Sequence, residues 1–257
     1  MGIKGILNFM SQKKRTVIEF KSKDFKASSQ AVTDVILSLI EYRATKRMET
    51  VVGLCGGSSP ASIFSSLASS YSTLSKTAQS SVFFLPLDER CLPHTDKDFN
   101  LNQITTQLFS HLLQAGHLSH SQIIWYEFNE KSSDYGCSDF QSKFQHLGSR
   151  LDIVIAGVGP DNHIASLFPD HPSLAFEGMR YEIVKDSPKP PPVRITATKN
   201  VITNAELTVG IFLKGKEKAY SDFKDESVNV ADCPAKLLAL NSSGHDSAKM
   251  LLLTDID

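Results

Sequence analysis

Apolar residues recur along this chain in two alternating rhythms. Between 31 and 47, Val32, Val35, Ile36, Leu39 and Ile40 fall at i, i+3, i+4 spacing and predict an amphipathic helix. The run VVGL at 51–54 is short and uniformly apolar, which predicts a buried strand ending at Gly56 and Gly57. A helix over 60–70 follows, with Ile63, Phe64, Leu67 and Ala68 as its buried stripe. Further strands are predicted at 82–87, 122–128, 151–157, 207–213 and 250–253. Helices are predicted at 101–113, at 138–147, onward from Lys216, and at 235–240. Alternation of this kind predicts an α/β fold, a mostly parallel sheet with helices on both faces. SPKPPPV at 187–193 is the only proline-rich stretch, short enough for a surface excursion within a domain. The expectation is one domain over 1–257, with 1–12 a loosely attached N-terminal extension.

Composition narrows the partners. The 257 residues suffice for a sizeable core. With 27 Lys+Arg against 28 Asp+Glu, the formal net charge of −1 gives no global field for nucleic acid or an anionic membrane. A local basic pocket for an anionic metabolite is still compatible with that balance. No apolar run approaches the ~20 residues of a membrane span. The N-terminal apolar patch is followed, not preceded, by its charges, and no signal peptide is predicted. Gly2 lacks the Ser or Thr that a myristoylation signal carries at the sixth position. The four cysteines (Cys55, Cys91, Cys137, Cys233) lie far apart without a C-x-x-C pair, which suits free thiols in a reducing compartment. A cytoplasmic monomer acting on a small molecule is expected.

The densest chemistry lies in LDIVIAGVGPDNHIASLFP at 151–169. A β-branched strand is broken by Gly157, Gly159 and Pro160, and the break delivers Asp161, Asn162 and His163. Ligands of open α/β sheets bind at the carboxyl ends of strands, and a carboxylate two residues from an imidazole suits proton transfer there. LCGGSSP at 54–60 joins a strand to a helix. Ser58 or Ser59 can cap that helix and Pro60 can begin it, so the loop reads either as an ordinary capped turn or as an anion cradle. It is neither a P-loop nor a G-x-G-x-x-G fingerprint. Asp88, Glu89 and Arg90 end the next strand. They are either a solvated loop or, in the functional reading, Arg90 as an anion clamp and Asp88 as an orienter near a sugar or the imidazole. Arg194 and Lys218 read as surface cations singly; with a helix N-terminus they could neutralise a phosphate.

Taken in order, GGSSP, DER, GVGPDNHIASLFP, RIT and GKEKA resemble the 6-phosphogluconolactonases, kin of the glucosamine-6-phosphate deaminases and, more distantly, of ribose-5-phosphate isomerases. The resemblance runs from about Val51 to about Phe223, with weaker similarity in DCPAKLLAL. It implies a Rossmann-like three-layer α/β/α sandwich and hydrolysis of a phosphorylated sugar lactone, with no metal or organic cofactor. By the same carry-over, His163 activates water with Asp161 beside it, and Gly56, Gly57, Ser58, Arg90, Arg194 and Lys218 would bind the phosphosugar. From the residues themselves, Asp88 is added to the catalytic set and Asn162 to the binding set.

Three positions depart from the family pattern: Asn162 stands for Gly, Phe99 for Ser and Ser59 for Thr. Asn tolerates the left-handed backbone that a Gly would adopt there, and its amide could reach a ring hydroxyl. Deaminases carry Asp-Glu-Tyr where this chain has Asp88-Glu89-Arg90, and their ring-opening carboxylate falls here on Phe168, which cannot transfer a proton. The resemblance thus favours a lactonase, with a deaminase and a non-catalytic sugar-phosphate sensor as the alternatives.

Overall fold

A computed structural model of the chain describes residues 16–21, 24–241 and 249–256. The expected extension at 1–12 lies outside the described residues. Six strands form one parallel sheet: β1 (Thr16–Lys21), β2 (Thr50–Leu54), β3 (Val82–Pro86), β5 (Ile153–Gly157), β8 (Leu207–Phe212) and β9 (Lys249–Thr254). Their order is β1-β9-β8-β5-β2-β3. Three shorter strands, β4 (Asp88–Arg90), β6 (Tyr181–Val184) and β7 (Arg194–Ala197), make a separate antiparallel sheet in the order β4-β7-β6. Two hydrogen bonds hinge the sheets together: Leu87 N–H donates to the Leu54 carbonyl, and Ala197 N–H to the Leu87 carbonyl, both at 2.8 Å.

Chain direction reverses between β2 and β5. From β2 the chain moves outward to β3; from β5 it moves the other way, to β8 and β9. Because crossovers between parallel strands are right-handed, that reversal sends the helices of the two halves to opposite faces. It also leaves a crevice where the loops after β2 and β5 diverge, the place where open α/β sheets take ligands. The expected α/β architecture is what the chain adopts.

The helices are α1 (Phe25–Thr45), α2 (Ala61–Ser70), α3 (Lys76–Ser80), the composite α4 (Asn100–Ile104, Thr105–Phe109 and Ser110–Gln114), α5 (Cys137–His146), α6 (Lys199–Thr203) and α7 (Glu217–Lys224). α1 begins six residues before the predicted start at 31. Asp24 caps it by accepting from Ala27 N–H at 3.0 Å, and buried Ser29 continues the stripe by donating to the Phe25 carbonyl. The predicted strand at 122–128 is absent. Ile124 N–H donates to the Phe84 carbonyl at 2.8 Å, and there the pairing stops, because the next ladder bond would need an N–H from Pro86, which has none. The segment predicted helical at 235–240 is a 3-10 turn, Pro234–Ala239.

β2, β5, β8 and β9 are buried on both faces, as a covered parallel sheet requires, while the edge strand β1 carries Glu19 and Lys21 and is partly exposed. All four cysteines are buried free thiols. No helix of the described residues is long and apolar enough to cross a membrane.

Candidate active site

The loop after β5 is built around one missing side chain. A Cβ on Gly159 would collide with the ring atoms Nδ1 and Cε1 of His163 and stand 2.6 Å from Asp161 Oδ1. Glycine is therefore required so that the imidazole and carboxylate can lie against the backbone. Asn162 supplies the turn with φ 71°, the left-handed conformation expected of it. His163 Nδ1 lies 2.5 Å from Asp161 Oδ1, with the His163 side chain 19% exposed. Lys189 Nζ donates to the same carboxylate oxygen at 2.8 Å and sits 3.3 Å from His163 Nδ1. Partial burial works against the Asp161 charge, but hydrogen bonds from His163 and Lys189 outweigh it and hold the carboxyl well below the ordinary carboxylate range. An ionised Asp161 can only accept, so Nδ1 carries a proton, and in the neutral ring Nε2 is then the nitrogen with the lone pair. On the other side the imidazole packs on Phe168, ring centroids 5.0 Å apart.

The loop after β2 is different. Gly56 is pressed against Asn100, and Gly57 holds φ +89° with open space where a Cβ would stand. Gly57 N–H is taken by Gln103 Oε1 at 2.9 Å, while those of Ser58 and Ser59 find no partner among the described residues. Neither serine caps α2 with its side chain, contrary to expectation: Pro60 occupies the cap position, and Ala61 N–H reaches the Ser58 carbonyl. Ser59 Oγ instead accepts from Lys216 Nζ at 2.8 Å. Lys216 has no carboxylate within ion-pair distance among the described residues. Burial pulls its ammonium below the usual lysine range, and Lys189 pushes the same way. A half-buried cation without a carboxylate partner, beside free amides at a helix start, can take an anion.

Several residues singled out in the sequence take other roles. Asp88 is buried and does not touch the imidazole. It accepts from Ser166 Oγ at 2.7 Å and faces Arg194 Nη1 at 3.8 Å, so it orients the loop three residues beyond His163. Arg194 is buried too, its donors given to the carbonyls of Lys189 (3.2 Å), Pro190 (3.0 Å) and Pro191 (3.1 Å). It holds the proline strap that carries Lys189, and its guanidinium is not turned to an outside anion. Lys218 is 79% exposed and pairs with Asp222 at 2.5 Å, away from the loop after β2. Asn162 spends its amide on the same Asp222 (2.7 Å) and on the Asp232 carbonyl (3.0 Å), which leaves no donor for a ring hydroxyl. Arg90 bonds only the Asp98 carbonyl, at 2.6 Å, and keeps no carboxylate partner among the described residues.

Three charged groups in and around these loops were given no role in the sequence. Glu89, fully buried, receives the N–H groups of Arg90, Asn100 and Leu101 at 2.6–2.8 Å and so caps α4 from a distance. Burial pushes its carboxyl up to about 8, against the pull of those amides. Lys189 and Lys216 lie in segments passed over as a surface excursion and a helix start; a lysine flanked by prolines was the available signal for the first.

A family model described as glucosamine-6-phosphate isomerases/6-phosphogluconolactonase matches residues 23–246. The chain is similar to the 6-phosphogluconolactonase of Borreliella burgdorferi, 28% identical over 224 residues, covering 87% of this chain and 91% of that protein. It is also similar to that of Homo sapiens, 31% identical, covering 75% of this chain and 76% of the relative. In fold it resembles the solved 6-phosphogluconolactonase of Thermotoga maritima, with TM-score 0.74, 18% identity, and 94% of this chain and 100% of that one covered. The Leishmania guyanensis 6-phosphogluconolactonase has the same TM-score of 0.74 at 24% identity, covering 93% and 96%.

Proposed function

The chain belongs to the family of glucosamine-6-phosphate isomerases and 6-phosphogluconolactonases, and on that premise we propose that it hydrolyses 6-phospho-D-glucono-1,5-lactone to 6-phospho-D-gluconate, the second step of the oxidative pentose phosphate pathway. One observation carries this reading. The His163–Asp161 pair after β5 is joined by Lys189, which lies close enough to Lys216, a cation on the Ser59 hydroxyl after β2 with no carboxylate partner among the described residues, to act on it electrostatically.

In the proposed reaction the phosphate binds Lys216 and the free amides of Ser58 and Ser59, with Arg90 as a further cation. His163 Nε2 takes a proton from water while the water oxygen bonds to the lactone carbonyl carbon. Ionised Asp161 stabilises the imidazolium. Lys189 meets the negative charge that grows on the carbonyl oxygen. As the tetrahedral intermediate collapses, the bond from that carbon to the ring oxygen breaks. His163 returns its proton to the ring oxygen, and the new carboxylic acid ionises to solvent. Phe168 fills the far side of the imidazole with an apolar ring, where a ring-opening deaminase would need a carboxylate. The net charge of −1 supports a small substrate over nucleic acid. Buried free thiols suit the cytoplasm.

The test is lactone consumption with freshly generated substrate, corrected for spontaneous opening. Saturable hydrolysis well above background is expected. Background-level consumption together with ammonia release from glucosamine 6-phosphate would replace this reading with the deaminase.

A further inference from the structure

Two residues that the sequence offered as substrate binders, Asn162 and Lys218, meet instead on one carboxylate, Asp222. Asn162 belongs to the turn that ends in His163. Asp222 belongs to α7, whose cap residue is Lys216. The contact therefore joins the loop after β5 to the helix after β8, and each carries one end of the proposed site. Glycine would adopt φ 71° at position 162 at lower conformational cost. The asparagine side chain nevertheless is only 6% exposed, and both its donor bonds reach this neighbouring region, to Asp222 Oδ2 at 2.7 Å and to the Asp232 carbonyl at 3.0 Å. The backbone adds a third tie, Ala235 N–H to the Asn162 carbonyl at 3.0 Å.

We infer that Asn162 and Asp222 are positioning residues that fix the separation between His163 and Lys216, and so hold the lactone carbon in register with the base when the phosphate is bound. The inference rests on the proposed function. Neither residue need touch substrate. Their effect passes through the other two, because misplacement by about 1 Å can cost about 10²-fold in rate.

The discriminating measurement compares kcat/KM for the phosphorylated lactone with that for unphosphorylated glucono-1,5-lactone. Only the first substrate spans from Lys216 to His163. Asn162→Gly keeps the left-handed turn and removes the strut; Asp222→Ala removes it from the other side. Each is expected to lower the ratio of the two kcat/KM values about tenfold. The double variant should fall no further than the worse single, since both remove one interaction. Asn162→Asp, which fits the same backbone and sets a carboxylate against Asp222, should lower the ratio at least as far. Equal losses on both substrates, multiplicative losses in the double variant, or a wild-type ratio in Asn162→Asp would each overturn the inference and leave the proposed function standing. A wild-type protein with no lactone turnover would overturn both.

Discussion

After β2 the chain leaves the sheet through Gly56 and Gly57; after β5, the adjacent strand, it leaves through Gly157 and Gly159. In the first loop Gly57 supplies a positive φ and nothing stands where its Cβ would be. That loop offers backbone: open amides, a helix start, and one lysine arriving from a distant segment. In the second loop Gly159 is there because His163 and Asp161 occupy the space of its Cβ. That loop offers side chains held by packing. Binding an anion needs diffuse positive potential, which a backbone nest supplies without exact side-chain placement. Moving a proton needs one atom at one place, which packing supplies.

Substitutions can break this contrast in order of size. His163→Ala should lower kcat about 10²–10⁴-fold. Its affinity for 6-phosphogluconate, measured by calorimetry, should stay close to wild type, because the anion loop is untouched. Lys189→Met should lower kcat about 10²–10³-fold if the ammonium meets the oxyanion; an unchanged kcat would remove it from that role. Gly159→Ala leaves every polar group in place yet should cost about 10²-fold in kcat, since the methyl evicts the imidazole from its seat. A kcat within a factor of two of wild type would refute the packing argument. Lys216→Met should act on the other loop, raising KM about tenfold with kcat little changed. An equal fall in kcat and kcat/KM would show that the cation serves the chemical step instead.

The smallest effect is one of pH. Asp161 is held below its unfolded range by His163 and Lys189. Its contribution to stability is therefore complete above the ordinary carboxylate pKa, about 4, and is lost as the pH falls through the lower folded value. Urea unfolding of wild type and Asp161→Asn should differ most at neutral pH and converge in strong acid. A gap that widens on acidification would reverse the assignment.

Much of the large sheet could be read from the chain because β2, β3, β5, β8 and β9 are mainly apolar runs, so local pattern and burial coincide; the edge strand β1, with Glu19 and Lys21, could not. The antiparallel sheet could not be read. Its strands are three or four residues long and hold Asp88, Glu89, Arg90 and Arg194, polar groups that the pattern assigns to loops. Residues 122–128 misled in the other direction, β-like in composition while the neighbouring strand meets them with Pro86, which has no N–H to donate. Among site residues, the Asp161–His163 pair was legible because its members are two apart in sequence. Lys216 and Ser59, 157 positions apart, were not.

By itself the sequence determined the α/β alternation, the glycine-broken strand end and the residues that a proton-transfer turn requires, all of which rest on neighbours within a few positions. Only the tertiary structure decided where the cations go: Lys189 reaches Asp161, Lys216 reaches Ser59, Lys218 pairs with Asp222, and Arg194 holds the strap. The direction in which a flexible charged side chain points is set by burial and by partners far away in the chain, and no local pattern encodes either.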